Sequence, residues 1–68
     1  MYEVRNIISA FAMPVVGTFK TKDEVEAFIK ASGEVVLMET DPDDGVSVDA
    51  LVKTKGGIVQ FAANFKKD

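Results

Sequence analysis

Three aspartates, Asp41, Asp43 and Asp44, stand close together in this chain and are followed at once by Gly45. Hard cations such as calcium take carboxylate oxygens from short loops, so a metal or a small polar ligand is the first chemistry this spacing suggests. The twelve-residue calcium loop does not fit, however. With Gly45 at its sixth position, Thr40 and Pro42 fall on the first and third ligand positions and Leu51 on the last. A hairpin turn uses the same residues more simply, with Asp side chains capping backbone amides and Gly45 supplying positive φ. The Asp41–Gly45 segment is therefore expected to be a turn, and ligand or metal binding there is the alternative reading.

Other reactive arrangements are thin. The chain has no His and no Cys, which removes zinc sets, disulfides and imidazole or thiolate nucleophiles together. Ser9, Ser32 and Ser47 have no histidine to activate them, and the lysines flank turns, the helix or the tail, where they remain protonated. Asp49 is the one acid inside a strong strand pattern, on a polar face with Ser47 and Lys53. Lys55-Gly56-Gly57 lacks the strand, loop and helix setting of a phosphate-binding loop. The expectation is a protein that is not an enzyme, with no catalytic residue, no metal and no cofactor.

Those side chains must be positioned by a small fold. Of the 68 residues, 47% are apolar and 28% charged, with a net charge of -3, which suits one compact domain (1-68) rather than a disordered tail. The clearest element is a helix from about Lys22 to Ser32. Thr21 caps it, Glu24 completes a capping box, Asp23 and Glu24 suit its positive end, and Gly33 is expected as a left-handed stop. Val25, Phe28 and Ile29 form one narrow apolar stripe, so the helix has one face to bury.

The surface it covers is a sheet. Glu34 to Thr40 is apolar and β-branched, and Val46 to Thr54 alternates with Val46, Val48, Ala50 and Val52 on one face. Ile58 to Phe65 alternates with Val59, Phe61, Ala63 and Phe65 together, after a turn at Lys55-Gly56-Gly57. Short loops make these three strands an antiparallel meander. Nearer the start, Tyr2 to Ser9 and Val15 to Phe19 have strand propensity. Residues 7-13 equally fit a short helix capped by Asn6, so both readings stand. The fold class is α+β, one amphipathic helix packed on a four- or five-stranded mostly antiparallel sheet in the order β(β)αβββ.

One segment has a familiar form. Val16-Gly17-Thr18-Phe19-Lys20-Thr21-Lys22-Asp23-Glu24-Val25-Glu26-Ala27-Phe28 resembles the strand-to-helix opening of SPOR peptidoglycan-binding domains. A strand followed by a capped amphipathic helix generates the same string. No second helical pattern follows the later strands, so the resemblance carries no function to this chain.

Charge and apolar supply point instead to partners. No basic residue lies between Lys30 and Lys53, while Glu34, Glu39, Asp41, Asp43, Asp44 and Asp49 all fall there. Lys53, Lys55, Lys66 and Lys67 then gather late in the chain, so the molecule is expected to be electrically polarised. An acidic chain without a basic, aromatic-interleaved strand is not expected to bind nucleic acid. The uncharged run from Asn6 to Phe19, interrupted by Pro14 and Gly17, is shorter than the about 20 apolar residues that cross a bilayer. No membrane partner is expected. Ala10-Phe11-Ala12 has the form of a cleavage site, but Glu3 and the short spacing from Arg5 spoil a signal peptide, so the expected location is cytoplasmic.

A domain of this size gains little net stability from its own core and commonly adds a partner surface. One helix covers one sheet face, leaving Leu51 and Ile58 on the other. The function expected is a small protein-interaction or regulatory module, self-associating as a homodimer through an exposed sheet face or edge. Leu51 and Ile58 are the contact residues, with Asp41, Asp43 and Asp44 as a steering patch. A further alternative is an acidic inhibitor of a nucleic-acid-processing enzyme from a mobile element or virus, acting through Glu39, Asp43 and Asp44.

Overall fold

A computed structural model describes residues 1–67. Five strands and one helix follow one another as β1 (Tyr2–Ile7), β2 (Val15–Phe19), α1 (Lys22–Ser32), β3 (Glu34–Thr40), β4 (Val48–Thr54) and β5 (Gly57–Phe65). The strands form one antiparallel sheet in the order β2-β1-β5-β4-β3, and α1 lies across one face of it. This is the α+β architecture expected, with the larger of the two strand counts.

Local chemistry explains the helix. The Glu24 amide donates to the Thr21 hydroxyl, and the Thr21 amide donates to the Glu24 carboxylate, each at 3.2 Å. Both halves of the capping box are therefore made. Val25 and Ile29 are fully buried, and the Phe28 ring lies 5.3 Å from Phe19 and 5.7 Å from Phe61, tying the helix to β2 and β5. Gly33 differs from expectation. Its φ of 160° and ψ of -157° are extended rather than left-handed, so another property of glycine is in use there.

Tyr2, Val4, Val48, Ala50, Val52, Phe61 and Ala63 complete the core from the sheet side. They are the period-two sets of β1, β4 and β5, all turned toward α1. Val46 leaves the expected inward set: β4 begins at Val48, and Val46 sits exposed in the preceding loop. Residues 8–14 are neither a continued strand nor a helix. A tight turn closes there instead, with the Ser9 and Ile8 amides donating to the Ala12 carbonyl and the Ala12 amide donating back to Ser9. Pro14 precedes β2, an edge strand, where a missing amide costs no ladder bond. Among the described residues no helix is long and apolar enough to cross a membrane.

Candidate functional site

The second face of the sheet has no helix over it. Residues paired directly across strands share a face, so the register lays this surface out in rows. Leu37, Leu51, Gln60 and Ile7 form one row across β3, β4, β5 and β1. On one side of it lie Glu39, Asp49, Ala62 and Arg5, and on the other Glu34, Lys53 and Ile58. A β-bulge between Val35 and Leu37 adds an apolar residue, because Val36 is extra in the ladder.

Leu51 and Ile58, named from the sequence, are thus diagonal neighbours on this face. Leu51 is half-buried and Ile58 is 60% exposed. Val36 at 59% and Leu37 at 46% extend the same apolar band, which sequence alternation alone did not show because the bulge breaks the period. Leu37, Glu39, Asp49, Leu51 and Gln60 line a shallow depression of about 310 Å³. The molecule exposes 4566 Å² in all. A monomer of this mass is expected to expose about 4,200 Å².

The aspartate turn lies off this face, at the end of the sheet where β3 passes to β4. Two of its three carboxylates are taken up locally. Asp41 accepts the Asp43 amide at 2.8 Å, and Asp44 accepts the Val46 and Ser47 amides, each at 2.9 Å. Gly45 has φ 72°, the left-handed conformation a turn glycine supplies. Among the described residues no group of three or more acids is placed to hold a metal ion. Asp41, Asp43 and Asp44 share one turn without forming a common site, and that turn lies away from Leu51 and Ile58.

Sequence reasoning missed the partner of this turn. Ser47 is the one buried polar residue in the chain's described part, and its hydroxyl both donates to Asp44 and accepts the Phe65 amide at 3.1 Å. It pins the loop to the end of β5. The Ser47 hydroxyl, followed by the Val46 and Ser47 amides, holds the Asp44 carboxyl below its ordinary value of 3.8. A depressed carboxyl stabilises the fold above its unfolded value and loses that contribution as pH falls through the folded one. Asp44→Asn is accordingly expected to flatten the acid limb of the stability curve as pH falls through and below the ordinary carboxyl value of 3.8. Ser47→Ala is expected to flatten it likewise, read as melting temperature against pH. A limb unchanged in both variants would contradict this assignment.

The late lysines do not gather in space. Lys53 and Lys55 sit at the end of the sheet carrying the β1–β2 turn. Lys66, whose amide donates to the Met1 carbonyl at 2.7 Å, lies at the other end with the aspartate turn. The expected basic pole is split in two. At the β1–β2 end, Phe11 is fully exposed at the turn tip, with Ile8 beside it at 66%.

No protein-family model, no curated protein and no solved structure matches this chain.

Proposed function

We propose that this chain is a non-enzymatic protein-interaction or regulatory module that works through the helix-free face of its sheet and self-associates there. The observation that carries the reading is the apolar band Val36, Leu37, Leu51 and Ile58, standing open on a sheet whose opposite face carries α1. Contiguous apolar surface on so small a protein marks a contact site, and covering it offsets the thin core. None of the acids or lysines in residues 1–67 is buried.

Leu51→Lys and Ile58→Glu test the reading. Both positions point away from the core, so each variant is expected to keep the parent circular dichroism and melting profile apart from any dimer contribution. Sedimentation equilibrium is expected to give a dimer for the parent and a monomer for each variant. A parent that remains monomeric at high micromolar concentration would overturn self-association. The aspartate turn then becomes the surface to test, by calcium titration of the amide resonances of residues 41–45.

A further inference from the structure

The row pattern of the open face is self-complementary in one particular way. We propose that two copies pack these faces together about a two-fold axis lying along the row Leu37, Leu51, Gln60 and Ile7, so that strands of the two sheets run antiparallel across the interface. This rests on the self-association proposed above and specifies its geometry.

Rotation about an in-plane axis perpendicular to the strands keeps each strand over its own counterpart and exchanges the two flanking rows. The apolar row then meets itself, Leu51 against Leu51 and the Gln60 amides against each other. Asp49 comes to lie over Lys53 of the partner subunit, and the relation is returned on the other side of the axis. Ala62 meets Ile58 of the partner subunit, a small side chain under a large one. Both charged contacts sit on β4, near the middle of the sheet, where packed sheets are closest.

The competing two-fold, parallel to the strands between β4 and β5, fails on charge. It would bring Glu39 over Arg5 of the partner subunit, a guanidinium already paired with Glu3, but it would set Asp49 over Ala62 and Lys53 over Ile58, leaving two charges covered by apolar groups with no counter-ion. The proposed axis has one unfavourable contact, Glu34 over Glu39 of the partner subunit. These residues lie on the edge strand β3, where two sheets inclined at about 30° diverge.

A charge swap tests this geometry. D49K and K53E are each expected to weaken the dimer at least about tenfold, because each sets like charges opposite one another twice. An equimolar mixture of the two is expected to reassociate with affinity near the parent's, since every mixed pair regains both Lys–acid contacts. E34Q is expected to tighten the dimer about two- to fivefold by removing the edge repulsion. Sedimentation equilibrium reads all of these, and D49N and K53Q, each weakening the dimer, serve if a reversal fails to fold. A dimeric parent whose charge variants stay dimeric, or whose mixture stays monomeric, overturns this axis while leaving self-association standing. A monomeric parent overturns both.

Discussion

Replacing Ile29 by alanine is expected to remove a large part of the chain's folding stability. Ile29 is fully buried on α1 and belongs, with Val25, to one core cluster with Val4 of β1 and Val48 and Val52 of β4. Truncation removes most of that side chain and leaves a cavity that the rigid sheet cannot close, a change that costs about 2–5 kcal/mol. A domain of this length has about 3–10 kcal/mol to lose. Urea unfolding followed by circular dichroism reads the difference directly. It must be measured at fixed protein concentration, because association adds stability that scales with it. A loss below about 1 kcal/mol would mean that α1 is only loosely seated on the sheet.

Gly33→Ala is expected to be the other severe substitution, through contact rather than handedness. The backbone at Gly33 is extended, a conformation alanine adopts freely. A Cβ at this position would run into the Lys53 carbonyl oxygen and would lie 3.0 Å from Val52 Cγ1. The carbonyl belongs to the backbone of β4 and cannot rotate away, so β3 must shift relative to β4 at the point where the helix hands over to the sheet. Overpacking of this kind costs about 1–3 kcal/mol. Gly45→Ala is the control. That glycine has φ 72° with open space around it, so alanine there meets only the left-handed penalty of about 1–2 kcal/mol and no displaced neighbour. Comparing the two by urea midpoint, with the amide shifts of residues 52–54 as a local readout, separates steric displacement from backbone strain. Unmoved shifts around Lys53 in the Gly33 variant would refute the contact argument.

These two positions also show where sequence reading stops. Ile29 was legible as a core residue, because Val25, Phe28 and Ile29 repeat at helical spacing and nothing beyond a few neighbouring residues is needed to see it. Gly33 was legible as a boundary but not for its reason, since the neighbour that demands a glycine comes from Lys53, twenty positions along the chain. The open face divides the same way. Leu51 and Ile58 follow from alternation within β4 and β5, whereas Val36 joins them through a bulge that interrupts alternation. Ser47 reads as an ordinary turn serine until the end of β5 is brought against it.

By itself the sequence determined the elements and their faces: the capped helix, the apolar sides of β4 and β5, and the glycine-bearing turn after Asp44. All of these depend on interactions between residues a few positions apart, which capping, period and turn chemistry encode directly. The tertiary structure alone decided the strand order, in which β1 enters between β2 and β5. That choice separates Lys53 and Lys55 from Lys66 and aligns Leu37, Leu51, Gln60 and Ile7 into one row. Pairing between distant strands is selected by how well whole faces pack together, a property of the assembled sheet that no short stretch of chain contains.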